Sequence, residues 1–428
     1  MKQSVNVGLI GFGIVGSGAI SILTDRADSI ARKVGVPVKV KRIADLDITT
    51  DRGVAVDKSV LTTDANEVLT DPDIDIVIET IGGVKPAGDF IRKALENGKN
   101  VVTANKELIA KHGAELLPLA EKNGVDLMFE AAVGGGIPVI RPMKVCLSGD
   151  KIVDIAGIVN GTTNYILTRM AGEGLGYAEV LPDAQAKGYA EANPTADVEG
   201  FDSAYKISIL GSLAFNSTVD VTKVIREGIT DITSEDISYA KKLGYVVKLV
   251  AMATLKGEDM LLRVHPAFLP AKHPLASVDD VFNAIYVKAL GVGEVMFYGP
   301  GAGSLAAGAA VVGDVMDIAH NIMNDCNTRV PYTCADSRKM LGADAIVCKN
   351  YIRIIAEDNP GVLSSITGIT AANNISIEAV TQCPLDGGKA EIVLLTHEAK
   401  ENDVIKALAE IGAQSFDSKV ASRIRVAE

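Results

Sequence analysis

The pattern of apolar and polar positions changes character three times along the chain. Near the start, "VNVGLIGFGIVGSGAISIL" (residues 5–23) passes from an apolar run through closely spaced glycines into an apolar stretch, which predicts strand, turn and helix. "VPVKVKRIADLD" predicts a second strand ending at Asp45, and "DIDIVIET" (73–80) a buried third. "GKNVVTANK" (98–106) and "VDLMFEAAV" (125–133) predict further strands, with helical patterns at 86–97 and 113–123 between them. Strands alternating with helices imply a parallel sheet covered on both faces, here at 1–137.

After "GGGIPVIRP" the strand candidates lengthen: "KIVDIAGIV", "VVKLVAMATL", "MLLRVHPAF" and "FNAIYVKAL". Helical patterns fall at 162–172, 177–188 and 202–215. This predicts an α+β unit over 138–299, mainly antiparallel with helices on one side. "GPGAGSLAAGAAVVGDVMDIAHNIM" (299–323) predicts a glycine turn and a long helix that returns to complete the first unit, over 300–324. A polar, irregular zone at 325–349 serves as linker. Residues 350–428 then show a βαββαβ order, with strands "YIRIIAE", "SIEAVTQ", "AEIVLLTH" and "ASRIRVAE" and helices 360–373 and 401–411, which is the ferredoxin-like arrangement. The fold class is α/β for the first unit, α+β for the second and ferredoxin-like for the last.

Composition narrows the function. A chain of 428 residues with net charge −12 is expected to have no nucleic-acid partner, since that role calls for a basic face. A small anionic cofactor is compatible, because backbone N–H groups hold phosphates without net charge. Glycine is abundant (41 residues) and aromatics are 4%, which favours close backbone approach to a ligand over an aromatic recognition surface. Cys146, Cys326, Cys334, Cys348 and Cys383 form no CxxC and are expected to be free thiols in a reducing compartment. No signal peptide is expected. The Ala/Gly-rich run 301–313 is too short to span a bilayer and meets Asp314, so a cytoplasmic protein without membrane attachment is expected.

"GFGIVG" places Gly11, Gly13 and Gly16, with Phe12, Ile14 and Val15 between them, where a strand opens into a helix. That context, with an acid ending the second strand, points to dinucleotide binding. The helix N-terminus then faces the phosphates. Asp45 stands where a ribose hydroxyl would be held and would repel a 2′-phosphate. Arg42 lies three residues earlier on the opposite strand face. The lean is to NAD, with NADP open.

"EANPTADVEGFDSAYK" (191–206) crowds Glu191, Asp197, Glu199 and Asp202 ahead of Lys206. On a helix over 202–215, Lys206 shares a face with Ile209, Leu210 and Leu213, and Asp202 is its i−4 neighbour. Spacing alone is met more often by a snorkelling lysine in a surface pair, worth about 0.3–0.5 kcal/mol. The alternative is a partly buried ammonium whose pKa falls, suited to proton transfer, with Glu191, Asp197 and Asp202 arranged for a substrate carrying an ammonium. Lys106 follows the C-terminal end of a parallel strand, where ligands of such sheets bind. Asn105 fits as the helix cap there, which leaves Lys106 unfavourably placed for the helix dipole.

These motifs resemble homoserine dehydrogenases of the longer monofunctional type with a C-terminal ACT domain. The resemblance rests on "GFGIVG", "VVTANKELIA", "FEAAVGGGIPVI", "GIVNGTTNYIL", "EANPTADVEGFDSAYK" and "GPGAG", in that order, and on "EDNPGVLSSITGITAANNISIEAV" for the tail. It implies a Rossmann-type domain, a substrate and dimerisation domain, and NAD(P)-dependent interconversion of L-homoserine and L-aspartate 4-semialdehyde in threonine and methionine biosynthesis. It implies Lys206 and Lys106 at the reacting centre, and Glu191, Asp202, Asp197 and Thr162 for substrate. Gly188, Gly303, Thr80 and Thr103 join the glycine turn, Asp45, Lys106 and Glu191 around the cofactor. A monovalent cation, usually sodium, would sit on main-chain oxygens of Glu130, Val133, Gly135 and Ile137. Asn359, Gly361, Val362 and Leu363 would meet an amino-acid effector, threonine by analogy, and a homodimer or homotetramer is implied. Removing 350–428 is expected to leave activity and abolish threonine sensitivity.

Asn193 departs from relatives with aspartate there, "SLAAG" from Pro-Thr after the glycine turn, and Asp45 from relatives with basic residues. A non-catalytic amino-acid sensor that keeps the cofactor fold, or a dehydrogenase of another small carbonyl, stays open on these residues.

Overall fold

The computed structural model describes residues 2–427 apart from 328, 332, 335, 336, 415 and 417. Four of those positions fall in the expected linker. Residues 415, 417 and 428, expected in the C-terminal unit, likewise lie outside the described residues, as does residue 1.

The first sheet has six strands: β1 (Val5–Ile10), β2 (Val38–Ala44), β3 (Leu61–Thr62), β4 (Ile76–Glu79), β5 (Asn100–Thr103) and β6 (Leu127–Met128). Their order is β3-β2-β1-β4-β5-β6, with every pairing parallel. Helices α1 (Ile14–Asp25), α2 (Ala27–Val34), α3 (Asn66–Leu69), α4 (Ala87–Glu96) and α5 (Lys106–Lys122) connect them. Both faces are apolar because both are covered. Val5, Val7 and Leu9 pack with Ile20, Val311 and Ile318 on one side. Ile10, Val77 and Val101 pack with Leu95, Leu108 and Leu116 on the other. The strand expected over 125–133 is only two residues long. It gives way to a tight turn at Glu130–Ala132, where the Glu130 N–H is drawn to Asp314 (2.8 Å). Helix α5 starts at the expected Asn105 cap, whose side chain accepts from the Leu108 N–H (3.0 Å), and so extends seven residues ahead of the helical pattern at 113–123.

The second sheet has ten strands. β7 (Ile152–Ile158), β8 (Ile225–Arg226), β9 (Tyr245–Lys256), β10 (Asp259–Pro270), β11 (Phe282–Ala289) and β12 (Gly293–Pro300) come from the middle of the chain. Helices α6 (Gly161–Glu173), α7 (Tyr177–Ala186), α8 (Thr195–Val198), α9 (Phe201–Phe215) and α10 (Ser234–Lys242) lie between β7 and β9, and α6, α9 and α10 pack on β9. Helix α10 escaped the sequence reading although Thr233 and Asp236 form a reciprocal capping box at its start. Helix α11 (Ser304–Met323) returns to the first unit and packs on α1. By length and composition it could cross a membrane, but half of that stretch is buried against the rest of the molecule.

The tail contributes β13 (Val347–Cys348), β14 (Asn350–Glu357), α12 (Val362–Ala372), β15 (Ile377–Leu385), β16 (Lys389–Thr396), β17 (Ala399–Lys400), α13 (Glu401–Gly412) and β18 (Lys419–Val426). Its four long strands run β18-β14-β16-β15, all antiparallel, as the ferredoxin-like order requires. It is not a detached appendage. β18 pairs parallel with β10, matching Ala267 to Arg425 and Phe268 to Val426, so one sheet runs through both units. Arg425 is 3% exposed and forks onto Glu227 at 2.7 and 2.8 Å, while also reaching Glu401 at 2.5 Å. Beside it, Arg353 joins Asp236 of α10 (2.8 Å) and Glu391 (3.2 Å). Clean removal of 350–428 would therefore strip a sheet partner from β10 and the arginine partners from Glu227 and Asp236.

Candidate active site

β1 and α1 meet at the glycine turn. Gly11 has φ +100°, and a Cβ there would lie 2.8 Å from the Thr80 carbonyl carbon. A Cβ at Gly16 would lie 2.1 Å from the Gly11 carbonyl oxygen. Gly13, in contrast, faces open space, and α1 starts there without a side-chain cap. An uncapped helix start facing open space fits an anionic pyrophosphate. Gly303, just ahead of α11, comes to the same place, since the Ser304 hydroxyl donates to the Ile14 carbonyl (2.8 Å). The approach requires Gly18 and Gly308, whose added Cβ atoms would fall 2.1 and 2.6 Å from backbone of the facing helix. Both glycines escaped the sequence reading, although their small size within apolar helices was the available signal.

Asp45 sits beside the turn, with its carboxylate accepting from the Phe12 N–H (2.5 Å) and the Asp47 N–H (2.8 Å). Arg42 turns away to the Ser59 carbonyl (3.0 Å) and Glu67 (3.5 Å), as the odd spacing implied. Phe12 is buried, Ile14 is exposed and Val15 is half-buried. The hydroxyl of Thr80 braces the turn by donating to the Gly11 carbonyl (2.6 Å). That of Thr103 is buried and donates to Glu79 (2.6 Å). The hydroxyl protons of both threonines are thus already committed within the fold. Glu79, missed from sequence, also accepts from the N–H groups of Ile81 (2.7 Å) and Gly82 (3.2 Å), and so orders the loop after β4.

The lysines meet across one carboxylate. Asp202 and Lys206 sit one turn apart on α9, 4% and 8% exposed, which rules out the snorkelling surface pair. The Lys206 ammonium donates to the Val159 carbonyl (2.6 Å) and to Asp202 Oδ2 (2.7 Å). Lys106, projecting from the first turn of α5, lies 2.7 Å from Asp202 Oδ1 and is still 44% exposed at its side chain. The Asn160 amide donates to Asp202 Oδ2 (2.9 Å) and to Asp197 Oδ1 (2.7 Å).

The charges respond accordingly. Burial lowers the pKa of Lys206, Asp202 opposes the drop, and Lys106 adds to it. Asp202 raises the pKa of Lys106 against burial, with Asp197 and Glu191 assisting. Burial also works against a charged Asp202, yet the two ammoniums hold its carboxyl well below the usual range. Asp197 is pushed up by burial, with the Asn160 N–H opposing. Two cations therefore share one anion. One of them is buried and readier to lose a proton, and the other is open and firmly protonated.

Thr162 donates its hydroxyl to the Tyr189 carbonyl (2.6 Å), which ties the start of α6 to the loop carrying Gly188 (φ +73°) and Glu191. Glu191 is exposed. Asn193 accepts from the hydroxyl (2.7 Å) and N–H (3.2 Å) of Thr195, so the departure from aspartate keeps a local turn acceptor.

At "EAAVGGGIP", Gly134 (φ +74°) and Gly135 (φ +57°) curl the backbone. The Glu130 carbonyl receives only a long 3.5 Å contact from the Val133 N–H. Among the described residues, the carbonyls of Val133, Gly135 and Ile137 accept no hydrogen bond. Such oxygens fit a hard monovalent cation. The Glu130 side chain has a separate role, accepting from the N–H groups of Val139 (2.6 Å), Ile140 (2.8 Å) and Arg141 (2.8 Å). Its buried neighbour Asp314, pushed up to about 7 chiefly by burial, bonds Arg141 at 3.0 Å.

In the tail, Gly361 (φ +95°) starts α12, Val362 is buried and Leu363 half-buried. The Asn359 amide donates to Glu357 (3.0 Å).

Comparison with known proteins places the whole chain. Residues 11–130 match the NAD-binding domain of homoserine dehydrogenase, 138–316 match homoserine dehydrogenase, and 350–415 match the ACT domain. Homoserine dehydrogenase of Bacillus subtilis is 42% identical over 426 residues, covering 99% of this chain and 98% of that one. The crystal structure of a homoserine dehydrogenase from Thiobacillus denitrificans superposes with TM-score 0.94 at 40% identity, covering 100% and 99% of the two chains. A hyperthermophilic archaeal homoserine dehydrogenase in complex with NADPH aligns at TM-score 0.64 and 28% identity, covering 76% of this chain and 100% of that one. With catalytic, nucleotide-binding and ACT regions matched in order and relatives alike from end to end, the chain belongs to the homoserine dehydrogenase family.

Proposed function

We propose that this homoserine dehydrogenase works through its two unequal lysines, and the sharing of Asp202 between Lys106 and Lys206 is the observation that carries the proposal. The nicotinamide, when bound, supplies or accepts the hydride. In the reducing direction Lys206 gives a proton to the aldehyde oxygen of L-aspartate 4-semialdehyde, and in the oxidising direction it takes the proton back from the L-homoserine hydroxyl. Its lowered affinity for the proton suits both directions. Lys106, held protonated by Asp202, stabilises the charge developing on that oxygen. Asp202 orients both, while Glu191 and Asp197 receive the substrate ammonium and Thr162 holds the loop that carries Glu191.

The open Gly13, with Gly11, Gly16, Gly188 and Gly303 around it, would hold the cofactor. Asp45 favours NAD by placing a negative charge where a 2′-phosphate would lie. A sodium ion would rest on the carbonyls of Glu130, Val133, Gly135 and Ile137. Threonine is the proposed effector at Asn359, Gly361, Val362 and Leu363, and the assembly is a cytoplasmic homodimer or homotetramer. The functional divisions follow at 1–137 with 300–324, 138–299, and 350–428 beyond a linker. Turnover of Lys206→Ala at saturating homoserine tests the core of this reading. A fall of about a hundredfold to ten-thousandfold is expected, and near-normal turnover would sink it.

A further inference from the structure

Asn160 belongs to "GIVNGTTNYIL", yet neither hydride nor proton transfer needs an amide there. Its side chain is nonetheless saturated. Oδ1 accepts from the Thr163 N–H (2.9 Å) and the Thr163 hydroxyl (2.9 Å), which caps α6. Nδ2 donates one hydrogen to Asp197 (2.7 Å) and the other to Asp202 (2.9 Å). The amide's orientation is dictated, because the Thr163 N–H can only donate and the oxygen must face it.

Helix capping does not require this residue. Asp, Ser or Thr cap as well. An aspartate would, however, turn an acceptor oxygen toward two carboxylates, and a serine would not reach both. Only an asparagine accepts from the helix start and donates to both acids at once. We propose that Asn160 is a positioning residue for the dehydrogenase reaction: it fixes the Asp202 carboxylate between the lysines and holds the Asp197 carboxylate beside it for the substrate ammonium. This rests on the two-lysine reading above.

The charged and polar groups facing Asp197 are Asn160 from the start of α6, Asp202 and Lys206 from α9, and Lys106 from α5. Burial and Asp202 favour the neutral acid, whereas Asn160 and the lysines favour the anion. Without the amide, Asp197 takes up its proton at higher pH, and the acid limb of kcat/KM for homoserine moves up.

The test uses the full-length enzyme as Asn160→Ser and Asn160→Asp, with Lys206→Ala in parallel. Asn160→Ser keeps a capping oxygen and is expected to melt near the parent temperature. Its kcat/KM at neutral pH should fall about tenfold or more, the scale of a lost hydrogen bond to a charged group. Its acid limb should shift upward, and Asn160→Asp should show the larger loss. Unchanged kcat/KM with an unmoved acid limb in Asn160→Ser overturns the proposal. So does a loss that comes with lower melting and an unmoved acid limb, since that assigns Asn160 to capping alone. If Lys206→Ala stays active, the two-lysine reading itself fails. If Lys206→Ala is inactive while the Asn160 variants are normal, only the role of Asn160 fails.

Discussion

Two buried ionic clusters in this molecule look alike on paper and differ in one chemical choice. At the site, Asp202 is shared by two lysines. Where the tail meets the rest of the chain, Asp236 and Glu391 are bridged by Arg353, and Glu401 and Glu227 by Arg425 with help from Arg423. The Arg353 part of the tail cluster is closed. Asp236 also accepts from the Tyr351 hydroxyl (3.0 Å) and the Thr233 hydroxyl (2.9 Å), and Tyr239 donates to Glu391 (2.6 Å). The site cluster is left open on the side where Lys106 is 44% exposed and Glu191 faces solvent. Guanidinium is a rigid fork that never gives up its proton, whereas a lysine ammonium is a point charge whose pKa moves with burial. Arginine stands where charge must stay, and lysine where a proton must leave.

The largest effect that could break this comparison is a conservative change. Lys206→Arg keeps the charge of a residue that must release a proton, so kcat should fall about as far as in Lys206→Ala, by about a hundredfold or more. An active arginine variant would reduce Lys206 to a charge. In the closed cluster, Asp236→Ala should leave Arg353 buried and short of its main partner. A loss of about 3–5 kcal/mol in unfolding free energy is expected, with kcat in the folded fraction close to the parent. Urea denaturation monitored beside turnover separates the two. Next comes acid. Glu401 is depressed from 4.5 to about 2, with Arg423 and Arg425 outweighing its burial. A depressed carboxylate stabilises fully above its ordinary pKa, so this contribution, about 3 kcal/mol, should be present above 4.5 and fade as pH falls toward 2. Glu401→Gln should flatten the acid side of the stability curve, and an unaltered curve would remove Glu401 from the account.

How much of this was legible in the sequence depended on range. The strand–glycine–helix start, the cap at Asn105 and the ferredoxin-like order are written in local spacing, and the structure follows them. The burial of Lys206 was not. Three apolar neighbours on its face were compatible with a snorkelling side chain, and only the packing of α9 against β9 and α5 decides otherwise. The resemblance, not the spacing, pointed to Lys206 in advance. Asn160 and Glu79 have local partners, but the ones that tie them to the site or to the neighbouring strand lie 37 and 24 residues away, and Asp314 meets Glu130 across 184, so local spacing does not mark these roles. The same holds for Arg425 and Glu227, 198 residues apart, which is why the tail reads as separable in sequence and is stitched into the sheet in the fold. For that reason a point change at Gly361 is a cleaner probe of effector response than deletion of 350–428.

The smallest effect apportions the work between the lysines. Lys106 lowers the proton affinity of Lys206 by like charge, while also drawing on the Asp202 that would raise it. Both influences vanish in Lys106→Ala, and both changes act in the same direction, so the pKa of Lys206 should rise. In the oxidising direction Lys206 must be neutral to accept the proton, and the rate climbs with pH through that pKa. The climb in Lys106→Ala should therefore be displaced upward, beyond any general loss of kcat from the missing charge. A pH series of homoserine oxidation, run on parent and variant, reads this displacement directly. An upward shift means that Lys106 tunes Lys206 as well as stabilising charge. A lowered kcat with an unmoved limb would confine Lys106 to charge stabilisation, and a downward shift would mean that the shared carboxylate is not what couples them.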